Sequence, residues 1–105
     1  MTAIACNLGV LSAEERKEHD ALSRKIFDSV LARKETAHGY AFTLDRSSIS
    51  LTELALWIAM EERCCSFFDF RFDLKAGALT LKLGGGPGVR EFMAERVGFE
   101  PTVRF

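Results

Sequence analysis

Tryptophan and tyrosine are nearly missing from this chain: one of each stands against nine phenylalanines in 105 residues. A phenyl ring has no polar handle to justify exposure, so most of the nine belong to a core. An excess of charge of one sign is missing too. Fourteen basic and fifteen acidic residues leave a net charge of −1. That balance argues against the clustered lysine and arginine of a nucleic-acid or anionic-membrane footprint. No segment approaches the roughly 20 apolar residues of a membrane span. The opening "MTAIACNLGVLSAEER" lacks a basic start followed by a long apolar run. Neither signal peptide nor anchor is expected, and the chain reads as cytoplasmic.

Cysteine is scarce and odd in number, at three residues, which argues against a secreted disulfide framework. In a reducing compartment all three are expected as thiols, serving as small buried residues, metal ligands or reactive groups. The chain has no C-x-x-C and no H-x-x-x-H. Its "GGGPGVREF" lacks the G-K-[ST] ending of a phosphate loop. Its two histidines lie far from any strained serine turn, so no Ser/His/Asp set is credible. Nothing in these motifs compels an enzyme.

What is present suffices for one compact domain. Ser12 and Glu15 form a capping box in "SAEE". A helix is predicted from there to about Lys34, with Leu22, Ile26, Phe27, Val30 and Leu31 as its buried stripe. His19 continues that stripe at the solvent end. "GYAFTLD" alternates, with Tyr40, Phe42 and Leu44 on one face, and is read as a half-buried strand. A second capping box, Ser50 with Glu53, opens a helix to about Cys64. "SFFDFRFDL" turns Phe68, Phe70, Phe72 and Leu74 one way. "KAG" then returns the chain through "ALTLKLG" as a hairpin. "GGGPG" breaks the chain before a short last helix carrying Val89, Phe92, Met93 and Val97.

The expected order is α-β-α-β-β-α, an α+β fold with helices on one face of a three-stranded mixed sheet. A right-handed crossover would set the first strand parallel to one hairpin strand. This is a ferredoxin-like core lacking its last strand, and its open sheet edges favour a homodimer. The single domain is placed at residues 1–97. The tail "ERVGFEPTVRF" resembles a reading frame continued into a stable RNA gene, so Gly98–Phe105 are expected to be poorly ordered and without function.

The candidate site lies in "EERCCSFFDF". At about 100° per residue, Leu51, Leu54, Ala55, Ile58 and Cys65 share one arc of the second helix. Glu61 and Glu62 flank Cys65, whereas Cys64 turns toward Trp57 and Met60. The chain must therefore bend if both sulfurs are to serve one site. Soft ions prefer such thiolates. Cys6, in an irregular N-terminal segment, could supply a third sulfur, with Glu61 or His19 completing a four-ligand shell. Free cysteine is also among the most buried residue types and packs as a small hydrophobe. A reactive thiol is the weakest alternative, because a helix C-terminus and nearby carboxylates disfavour the thiolate. His38, before the first strand, reads as an exposed turn residue.

The run from "GYAFTL" through "EERCCSFFDFRFDL" to "GGGPGVREFM" resembles a group of small bacterial proteins of unassigned function. They share an early C-x-L and a Glu-x-x-Cys-Cys-x-Phe-x-x-Phe run. Cys6, Leu8, Glu61, Cys64, Cys65, Phe67 and Phe70 match here. The resemblance implies no activity, but it groups Cys6, Glu61, Cys64 and Cys65 in one pattern. Two functional readings stand. In the first, a cytoplasmic protein binds Zn(II), Cu(I) or another thiophilic ion through Cys6, Cys64, Cys65, Glu61 and His19, to sequester or deliver it. In the second, a non-catalytic homodimeric module binds a partner or small ligand and its cysteines are core packing. No nucleic-acid or membrane partner is expected in either.

Overall fold

The computed structural model describes residues 7–97. After a short 3₁₀ turn at Leu8–Val10 come α1 (Ala13–Asp28), β1 (Val30–Glu35), β2 (Gly39–Leu44) and α2 (Leu51–Cys64). Then follow β3 (Phe68–Lys75), β4 (Ala78–Gly85) and α3 (Val89–Val97). The class is α+β. Both capping boxes form: Ser12 and Ser50 accept from the backbone N–H of Glu15 and Glu53, whose carboxylates accept in return from the cap N–H groups. No helix among the described residues is long and apolar enough to cross a membrane. The expectations for Cys6 and for Gly98–Phe105 fall outside the described residues.

The sheet has four strands in the order β1-β2-β4-β3, every neighbouring pair antiparallel. This corrects the three-stranded mixed sheet. The extra strand comes from the segment Val30–Lys34, which the helical pattern assigns to the first helix. The helix instead stops at Asp28, where the Ser29 hydroxyl and N–H both donate to the Ile26 carbonyl. "VLARKE" carries good helix formers and no turn signal, so its own composition does not reveal the break. Pairing decides it. β1 lies along β2, and the hairpin closes with the Thr36 N–H donating to the Gly39 carbonyl at 2.8 Å. Leu31, expected in the buried stripe, is 67% exposed. β2 and β3 do run in the same direction, but β4 lies between them, so no parallel pair forms.

The rest of the strand reading holds. Tyr40, Phe42, Leu44, Leu79, Leu81 and Leu83 are all buried on one face. They join Ile26 of α1, Leu54, Trp57 and Met60 of α2, and Val89 and Met93 of α3 in a single core. The β3–β4 hairpin turns on Ala76 and Gly77, both at positive φ, the two-residue geometry that matches strand twist. β2 begins against β4 at the Gly39–Gly84 pair. A Cβ on Gly39 would stand 1.9 Å from the Leu83 carbonyl oxygen and 2.6 Å from the Gly84 Cα. Only glycine lets these backbones meet. Gly39→Ala is therefore expected to cost about 2–3 kcal/mol by forcing the strands apart. Gly86→Ala, with nothing within 4 Å of the added methyl, should change little. Urea midpoints of the two variants check the contrast.

Candidate functional site

The inward face of α2 is not the arc centred on Ile58. Leu54, Trp57, Met60, Glu61 and Cys64 are buried, whereas Ala55 and Glu62 are exposed and Ile58 is half-buried. Spacings of three and four residues still govern the face. The large Trp57 ring fixes its centre by packing edge-on to Phe27 of α1 and Phe70 of β3. The rotation carries Glu61 and Cys64 into the core together.

Glu61 is fully buried, and a lone carboxyl there would be costly. Its partner comes from α1: Glu61 Oε1 and His19 Nε2 form a buried hydrogen bond of 2.5 Å. His19, expected at the solvent end of its stripe, is itself buried. Trp57 stacks over the imidazole at 6.5 Å and 12°, and its Nε1 donates to Ser23 Oγ at 2.8 Å. The indole thus holds the histidine ring while anchored to the same helix. Trp57 and Ser23 are the site residues that sequence reasoning missed; the i, i+4 spacing of His19 and Ser23 is the signal that could have found them.

The bend needed to bring the two sulfurs together is present. Cys64 closes α2, and Cys65 leaves the helix at φ −127°, ψ 64°. Its N–H still donates to the Glu61 carbonyl at 2.7 Å, and its own carbonyl accepts from Phe68 N–H at 3.2 Å. The sulfur atoms of Cys64 and Cys65 lie 3.7 Å apart, and both residues are buried. Cys64 is not part of a disulfide. Cys65 is disulfide-bonded. This corrects the expectation that every cysteine is a thiol.

One cluster results. His19, Glu61 and Cys64 each offer a donor atom within 4.8 Å of the others, all buried. Cys65 adjoins this cluster through Cys64.

Arg63, on the outer side of α2, clasps the N-terminal segment over this end of the helix. Its guanidinium donates to the Val10 carbonyl at 2.9 Å and to Glu15 Oε2 at 2.7 Å. The Asn7 N–H donates to the Cys64 carbonyl at 2.7 Å. The hydrogen bond from Arg63, helped by the Ser12 N–H, holds the Glu15 carboxyl down at about 2 from the usual 4.5.

A separate cleft lies elsewhere. About 580 Å³ opens beside the glycine-rich turn, lined in part by His38, Asp69, Gly86 and Arg90. His38 is exposed there, as expected. The Arg90 guanidinium is engaged by Glu35 at 3.2 Å and Glu91 at 3.6 Å and donates to the Thr36 carbonyl. It joins α3 to the β1–β2 hairpin rather than offering an unpaired cation to a ligand.

No family model matches the chain, and no curated protein or solved structure matches it either.

Glu61→Ala leaves the buried imidazole without its partner and is expected to lower stability by about 3 kcal/mol. The pair His19→Leu with Glu61→Leu removes both polar groups and should recover most of that loss. A double-mutant cycle by urea denaturation measures the coupling. The Arg63 clasp makes a separate prediction. Because the folded carboxyl of Glu15 titrates near 2 rather than 4.5, its stabilising contribution is complete above 4.5 and disappears as pH falls through 2. Glu15→Gln should therefore lessen the fall in stability over that window, read by denaturation at a series of pH values.

Proposed function

We propose that the chain binds a soft metal or metalloid ion at the buried end of α2, through Cys64, Glu61 and His19, with Cys65 joining when its disulfide is reduced. The observation that carries this reading is the convergence of imidazole, carboxyl and thiol donors within 4.8 Å in a buried setting. An S, N and O donor set of this kind suits Zn(II), and reduction would shift it toward softer ions such as Cu(I) or trivalent arsenic. The spacing of the sulfurs supports it further. Two thiolates on a tetrahedral zinc at about 2.3 Å from the metal stand about 3.8 Å apart, against 3.7 Å between Cys64 and Cys65. An entering ion would part His19 from Glu61. A reducing compartment such as the cytoplasm would keep the site competent, and the buried setting suits holding or delivering an ion rather than turning over a substrate.

A second reading has an observation of its own. His19 and Glu61 already satisfy each other, and Cys65 is already bonded, as expected of a non-catalytic homodimeric module with these residues as core. Cobalt separates the two. Fully reduced protein should take up about one Co(II) per chain, with thiolate-to-metal absorption in the near ultraviolet. Cys64→Ser should abolish that absorption. Oxidised protein should bind far more weakly. Binding as a thiolate displaces the Cys64 thiol proton, so affinity should rise with pH, by up to about tenfold per unit for that proton. Reduced protein that takes up none of Co(II), Zn(II), Cu(I) or arsenite would favour the packing reading.

A further inference from the structure

Among the described residues the sheet ends on two edge strands, β1 and β3, and they differ. β1 is six residues long and carries a register break between Val30 and Ala32, a bulge of the kind that protects an edge from pairing. β3 runs eight residues without a break, from Phe68 opposite Gly85 to Lys75 opposite Ala78. It contains no proline and places no charge on the helix-covered face. Phe72 and Leu74 lie on that face yet remain 45% and 47% exposed.

The opposite face of β3 carries Asp69, Arg71, Asp73 and Lys75 in turn. This order is antisymmetric about Phe72. We propose that two copies of the chain pair through β3, antiparallel, with Phe72 opposite its counterpart on the two-fold axis. Arg71 then lies opposite the other copy's Asp73, and Asp69 opposite its Lys75, each pair occurring twice. On the other face Phe70 meets Leu74, also twice. All four charged cross-strand pairs are of opposite sign, and such pairs are the unit of stabilisation between strands.

Neighbouring registers fail on the same side chains. Moving the axis to Arg71 sets that arginine against itself and Asp69 against Asp73. Moving it to Asp73 sets that aspartate against itself and Arg71 against Lys75. Shifting further, to Phe70 or Leu74, keeps only two opposite-charge pairs and shortens the overlap. The charge order therefore selects one register. Lys82 already reaches Asp73 from β4 at 3.2 Å, so the incoming Arg71 would extend a ladder of alternating charge. The contact uses one patch on both copies and closes on itself, giving a dimer and not a filament. The result is an eight-stranded sheet across the two-fold, with the exposed Phe72 and Leu74 covered. This interface is independent of ion binding at α2.

Sedimentation velocity of the full chain across micromolar concentrations, at low and moderate salt, tests it. The expected result is a reversible dimer that weakens with salt. Arg71→Asp should raise its dissociation constant by roughly thirtyfold or more, since two attractive pairs become repulsive. Asp69→Lys alone should also weaken it, whereas Asp69→Lys combined with Lys75→Asp only exchanges the signs of the outer pairs and should restore it. Far-ultraviolet circular dichroism checks that each variant is folded. A chain that stays monomeric throughout overturns the proposal. So does a dimer indifferent to Arg71→Asp, or a double variant that fails to restore what Asp69→Lys removes.

Discussion

The hydrogen bond between His19 and Glu61 is the contact on which the helical layer depends. A carboxyl with no solvent exposure sits in a face otherwise made of Leu54, Trp57, Met60 and Cys64. The imidazole that α1 brings to it helps make it tolerable there. That pairing fixes the rotation of α2, which buries Glu61 and leaves Glu62 exposed, and it fixes where α1 crosses α2. Trp57 reinforces the arrangement by stacking on the histidine and bonding Ser23 one turn further along. Many apolar packings of two helices are nearly equivalent. A single buried polar pair is compatible with few of them.

The same rotation positions the sulfur chemistry. Once Glu61 faces inward, Cys64, three residues on, must follow it. Cys65 would point elsewhere in a continued helix. Its departure from helical geometry returns it to the core, 3.7 Å from its neighbour. The end of α2 is stabilised from outside by Arg63, which joins Val10 and Glu15 to the helix. The buried cluster and the surface clasp therefore act on the same residues from opposite sides. Opening the site to an ion would require the buried pair to separate while the clasp keeps the helix end in place.

The sheet answers a different constraint. Its helix-covered face supplies the core, but Phe72 and Leu74 of β3 stay exposed on that face. β1 is protected at its edge by a bulge, and Arg33 and Glu35 share its helix-covered face. Arg90 of α3 reaches Glu35 from above. β3 has no bulge and no charge on that face, only an ordered series of charges on the other. The two edges of one sheet thus follow opposite strategies, and the distinction lies in the side chains rather than in the backbone.

Much of the fold could be read from local signals. The two capping boxes, the alternation in β2, β3 and β4, and the Gly-rich break before α3 each concern residues within a few positions of one another. Their physics is local, so the amino-acid order alone determines them. The Glu61–Cys65 segment stands out for the same reason, as a charge and two cysteines beside an apolar stripe. Tertiary contact decided the rest. "VLARKE" is an acceptable helix by composition and becomes a strand because β2 offers a hydrogen-bonding edge. Glu61 turns inward because His19, 42 positions earlier, can satisfy it. Cys65 joins the cluster only through a backbone bend at the end of α2. Each of these outcomes rests on a partner distant in sequence, and a local pattern holds no information about which distant group will arrive to meet it.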